Sequence, residues 1–118
     1  MGNFYQYARC CTTLTVSMIA RTWRGRATAA NASAYVRHFI QTVVPQLKAL
    51  PGHRGAWLLQ RAQGGEVELV ALTLWESRAA IEAFAGRDIG RAHVEPQARA
   101  VLSSFDDGAE HYEVAYAG

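Results

Sequence analysis

The chain has 118 residues, half of them hydrophobic, and a formal charge of +2, which fits one globular domain able to bury roughly 65% of its unfolded surface without metal or disulfide help. Of its 12 basic residues only Lys48 is lysine, and the arginines scatter from Arg9 to Arg99, so no basic stripe marks a nucleic-acid partner. No stretch is apolar enough to span a bilayer, and the adjacent Cys10 and Cys11 lack metal or redox spacing, so no membrane partner and a reducing, cytoplasmic compartment are expected.

Residues 1–17 lack the cationic start and continuous apolar core of a secretory signal, and Gln6 stands where a myristoylation motif wants Ser or Thr. They are expected to form a flexible N-terminal extension, with a single domain over residues 18–118. Residues 17–26 alternate and predict the first strand. Ala32, Tyr35, Val36, Phe39, Ile40, Val43, Val44 and Leu47 then recur at helical spacing, with Thr28 or Asn31 available as N-cap. Pro45 is expected to end or kink this helix, and Pro51-Gly52 closes the segment. His38 falls on the side of the helix expected to face solvent.

Residues 55–63 and 66–75 flank Gly64-Gly65, a pair suited to the positive backbone angles of a tight hairpin turn. That turn puts Arg61 opposite Glu68 and Trp57 opposite Leu72. Within the second arm Val67, Leu69, Ala71 and Trp75 point one way and Val70, Leu72 and Leu74 the other, because strand side chains alternate. Both faces are therefore apolar. Helices cover only one face of a small sheet, so a second copy of the same sheet is the expected cover for the other. Ser77 predicts the cap of a short helix whose Ala80, Ile81, Phe84 and Ala85 form one face, stopped by Gly86. A last helical stretch from Pro96 is expected to bury Ala98, Val101, Leu102 and Phe105, before Asp106-Asp107-Gly108 turns into a final strand over residues 109–116.

Strand, helix, hairpin, helix, strand is the order of an α+β ferredoxin-like sandwich, an antiparallel four-stranded sheet with helices on one face. Trp75-Glu76-Ser77, the Ala83-Phe84 pair, Pro51-Gly52 before the hairpin and the closing His111-Tyr112-Glu113-Val114 together resemble the antibiotic biosynthesis monooxygenase family of dimeric α+β barrels. The resemblance covers about residues 18–116 and implies a homodimer whose sheets pack face to face. It also implies a choice among cofactor-independent oxygenases of phenols, haem-degrading enzymes and proteins without turnover. Against the haem degraders, Trp23 stands at the position of a pocket Asn and Phe84 at that of a pocket Trp, and His93 nears the ligating His only with a one-residue gap.

Cofactor-independent oxygenation asks for a dry apolar slot, a base and donors to an oxyanion, since an electron-rich phenol, once deprotonated, can pass an electron to O₂ itself. Trp23, Phe39, Trp75 and Phe84 are the expected walls of a slot for a small aromatic molecule, His93 the base and Arg21 the oxyanion donor. Each has a plainer alternative. Phe39, Phe84 and Trp75 suit a packed core, and His93 suits a surface between Arg91 and Glu95. No metal-ligand spacing, nucleophile elbow or nucleotide fingerprint occurs, so neither metal nor other cofactor is expected. The expected function is a cofactor-independent monooxygenase, against a binding or stress-response dimer and, third, a haem-binding protein.

Overall fold

The computed structural model describes residues 18–118; the extension expected over residues 1–17 lies outside them. Strand β1 (Ile19–Ala27) leads into helix α1 (Ala29–His38), a π-helical turn (Phe39–Val43) and helix α2 (Val44–Lys48). The hairpin β2 (His53–Gln63) and β3 (Glu66–Trp75) follows, then α3 (Arg78–Ala85), α4 (Pro96–Val101), β4 (Ser104–Phe105) and β5 (Glu110–Glu113). The sheet order is β2-β3-β1-β4, antiparallel throughout, with β5 also on the free edge of β1. The helices pack on one face, as the ferredoxin-like reading expected. Among the described residues no helix is long and apolar enough to cross a membrane.

Local chemistry accounts for most boundaries. Thr28, not Asn31, caps α1, its hydroxyl accepting from the Asn31 N–H at 3.2 Å, and Ser77 caps α3 through the Ala80 N–H at 3.1 Å. Gly64 and Gly65 hold φ of 57° and 86°, the positive pair a type I′ turn requires. The register is the expected one, Arg61 against Glu68 and Trp57 against Leu72. Gly52 (φ 88°) passes so close to α3 that a Cβ would meet the Ala80 Cβ at 2.6 Å, which keeps the α2–β2 corner tight against the α3 start.

Pro45 neither ends nor sharply breaks the helix. It lacks the N–H that an α-turn would aim at the Gln41 carbonyl, and the chain accommodates this by widening just upstream: the Val44 N–H bonds the Phe39 carbonyl, five residues back. The buried stripe runs through Ala32, Tyr35, Phe39 and Leu47. Two expectations fail on this phase. Ile40 is 58% exposed, because at roughly 100° per residue it lies well round from a stripe centred between Tyr35 and Phe39. His38, one turn on from Tyr35, is largely withdrawn from solvent beside Glu95.

The end of the chain also differs from expectation. The helix from Pro96 stops at Val101, and Leu102 and Phe105 are reached by extended chain, Phe105 on β4 opposite Gly25. The expected final strand follows the Asp106-Asp107-Gly108 turn but is shorter, β5 ending at Glu113, and a further short strand, β4, precedes the turn where helix had been expected.

Two apolar clusters result. One gathers Ala27, Ala32, Tyr35, Phe39, Leu69, Ala98 and Leu102; the other gathers Ile19, Leu47, Trp75 and Ile81, with Phe84 packed against it. Each buried Leu or Ile contributes roughly 1.5–3 kcal/mol of transfer free energy before ordering costs. Val43 touches both clusters, and the gap between them is the site.

Candidate active site

A cavity lies between the sheet and the helices, lined by Arg21 and Trp23 of β1, Tyr35, His38 and Phe39 of the first helix, Ala71 and Thr73 of β3, Phe84 of α3, and His93, Val94 and Glu95 of the α3–α4 connection. It encloses about 60 Å³, and its open mouth brings the empty space to about 610 Å³. Strand alternation puts Arg21 and Trp23 on one face of β1, and helical spacing puts Tyr35, His38 and Phe39 opposite them.

Five of the six expected residues line this space. Phe39 is buried and Phe84 closes one side, its ring edge-on to His93 at 5.3 Å. Trp23 lies 6.1 Å from the Tyr35 ring and donates its indole N–H to the Asp106 carbonyl at 2.8 Å, so its polar handle is already engaged. Trp75 does not line the cavity. It is fully buried behind it, 5.9 Å from Phe84, and its indole N–H bonds the Thr73 hydroxyl at 2.8 Å. His93 sits at the mouth and is largely exposed.

Arg21 is the most constrained polar group. It is 4% exposed and its guanidinium donates to the Ile89 carbonyl, to the Arg91 carbonyl at 3.2 Å and to His111 Nε2 at 2.9 Å. Arginine has donors only, so His111 Nε2 must accept and the imidazole is neutral with its proton on Nδ1. Among the described residues no carboxylate pairs with Arg21. Burial lowers its pKa to about 10, which leaves it a cation at neutral pH. The same surroundings hold His111 below the ordinary imidazole range, through burial first and then the charges of Arg21 and Arg78. A buried cation facing neutral acceptors favours an incoming anion, because the desolvation penalty is only partly offset.

Across the cavity, two groups that periodicity and neighbour arguments had assigned to the surface meet. His38 Nε2 lies 3.5 Å from Glu95 Oε1, and their side chains are only 10% and 20% exposed. Glu95 Oε2 accepts from the Gln46 amide at 2.9 Å, whereas Oε1 is buried with no hydrogen bond among the described residues. Burial, and then the Glu95 charge, push the Tyr35 phenol up to about 12, so it stays protonated. The sequence signal that could have found His38 was its spacing of three from Tyr35; nothing local pointed to Glu95. Among the described residues no group of three His, Cys, Asp or Glu could hold a metal ion.

The residues do not fit a haem. The Trp23 indole is spent on Asp106, and His93 stands exposed at the rim rather than over an enclosed plane.

No protein-family model matches the chain, and no curated protein matches it. Solved structures do. A candidate antibiotic biosynthesis monooxygenase from Bacillus cereus matches at TM-score 0.60 and 16% identity, over 86% of this chain and 97% of that one. One from Nitrosomonas europaea matches at TM-score 0.61 and 12% identity, over 89% and 97%. The haem degrader MhuD from Mycobacterium tuberculosis, solved with two haems in its active site, matches at TM-score 0.54 and 19% identity, over 85% and 98%. At these identities the likeness is one of fold: the chain has the ferredoxin-like α+β fold of antibiotic biosynthesis monooxygenase-like proteins.

Proposed function

We propose that this protein is a cofactor-independent monooxygenase of a small, electron-rich, ionisable aromatic ring, working as a homodimer. The observation that carries the reading is the buried, carboxylate-free cation Arg21 on the wall of an otherwise largely apolar cavity. A phenol that loses its proton there leaves a phenolate toward Arg21, and that anion can give an electron to O₂ within largely apolar walls. For a phenol with a free para position the balance is simple. One oxygen atom of O₂ becomes the second quinone carbonyl, and the other leaves as water with the two displaced hydrogens.

The cavity favours a small substrate: with about 60 Å³ enclosed and an open mouth, a single ring extends from the apolar walls toward the mouth beside His93. Trp23, Phe39 and Phe84 then sandwich it. Trp75 supports Phe84 from behind. The same small volume favours one other reading, a binding dimer whose pocket does not turn over.

The outer face of the sheet supports association. Leu59 pairs with Val70, Trp57 with Leu72, and Tyr112 lies across β1 on the same face; Trp57 and Leu59 are 48% exposed and Tyr112 53%. The charges around them, Arg24, Arg61, Glu68 and Glu110, are paired with one another, so a second copy can cover the face without stranding an ion. The test of function is oxygen uptake by the metal-stripped protein over phenols and hydroquinones that calorimetry first shows to bind. Saturable uptake with single-ring substrates is expected. Binding without uptake assigns the protein to the non-catalytic reading.

A further inference from the structure

We infer that the proton acceptor of this cavity is the His38–Glu95 pair, held between the first helix and the α3–α4 connection, and that it ionises an acidic hydroxyl on the bound ring. The inference rests on the aromatic-ring reading above and names the group that reading leaves open. Glu95 Oε1 is a buried carboxylate oxygen with no hydrogen bond among the described residues, and such an atom costs free energy unless something arrives to use it. It lies on the cavity wall beside His38 Nε2 at 3.5 Å, a separation that leaves both atoms open to a third partner. Gln46 donates to the other carboxylate oxygen, and the His38 ring rests 5.9 Å from that of Tyr35.

The step balances within the site. The O–H bond of the ring hydroxyl breaks, its electron pair stays on oxygen, and the proton is taken up by the pair as an N–H bond at His38 Nε2. The resulting imidazolium is offset by the Glu95 carboxylate, and the phenolate is offset by Arg21 on β1. The other polar groups lining the cavity are Tyr35 from the same helix, Gln46 from α2, Arg21 and Thr73 from the sheet and His93 from the α3–α4 connection. His93 is a weaker claimant, because it is exposed and its neighbour in the cavity is the apolar Phe84 ring.

The test uses the full chain and two redox-quiet rings, 4-nitrophenol, whose phenolate absorbs visibly, and nitrobenzene, which has no proton to lose. Bound nitrophenol is expected to ionise at least tenfold more readily than free nitrophenol. Glu95→Gln and His38→Asn are each expected to abolish that shift while still binding nitrobenzene, which also certifies that the variants are folded. Nitrophenol bound in its neutral form overturns the inference, as does a shift lost in His93→Asn but intact in Glu95→Gln and His38→Asn. Failure of both rings to bind removes the aromatic-site reading itself, and ionisation without later oxygen uptake removes only the oxygenase reading.

Discussion

On the helix-covered face of the sheet the polar side chains are buried and tied down: Arg21 to two carbonyls and His111, Thr73 to the Trp75 indole. On the outer face it is the apolar side chains that stand half in solvent, Trp57, Leu59 and Tyr112, among charges that pair with one another. Both faces are carried by the same strands, residue by alternate residue. Position along a strand therefore says little about role. A polar group under helices marks the site, and an apolar group without a cover marks assembly.

Two tryptophans make the sharpest test. Trp75→Ala should destabilise the fold by about 3–5 kcal/mol, the range for deleting a large buried aromatic, whereas Trp57→Ala should leave monomer stability nearly unchanged; denaturant midpoints compare them. Equal losses would break the contrast between faces. Association comes next in size: light scattering should give twice the 13.0 kDa chain mass, and Trp57→Glu should halve it while leaving the circular dichroism spectrum intact, since a charge on a covered face cannot be repaid.

A smaller effect is expected inside. Trp23→Phe removes the bond to the Asp106 carbonyl and should cost about 1 kcal/mol of stability together with a larger proportional loss of ring binding by titration. A stability loss with binding untouched would make Trp23 a packing residue only. The smallest effect is on pH dependence. His111 has a folded pKa below the unfolded 6.5, so the unfolded chain binds more protons as pH falls, and its contribution to stability is present above pH 6.5 and lost below it. His53 acts in the same direction, mainly through burial. Melting temperature should therefore decline below pH 6.5, less steeply in His111→Gln, which keeps an acceptor for Arg21 but cannot be charged.

Features decided by near neighbours were legible in the sequence. The Gly64-Gly65 turn and the Arg61–Glu68 pair fix the hairpin within a few residues, and Ser77 with Gly86 delimits α3 by its own caps. The cavity walls Trp23, Phe39 and Phe84 were also legible, because large aromatics on an inward phase have few other places to go. His38 and Ile40 exchanged their expected environments because periodicity gives the spacing of a stripe but not its centre, which packing against the sheet sets. Glu95 was illegible for another reason: its role depends on a partner far away in the chain and on a loop path that carries no periodic signal. The two-residue β4 escaped because so short a strand carries no alternation and is defined only by its pairing with Gly25 and Arg26 on β1.

The π-helical turn at Phe39–Val43 bears on how the chain tolerates changes of length. A π turn holds one residue more than the α turn it replaces, so the first helix carries a surplus residue just ahead of Pro45. Removing one residue there need not shorten the path from His38 to Leu47 by breaking it; the turn can tighten to α geometry. Everything downstream of it would then keep its phase, with Leu47 still in the core and Gln46 still beside Glu95, whereas a residue lost from the α-helical part would turn the downstream segment by roughly 100°. The π turn thus acts as a length buffer between the two halves of the helix, so that Tyr35 and His38 face the cavity and Leu47 joins the Trp75 cluster across it.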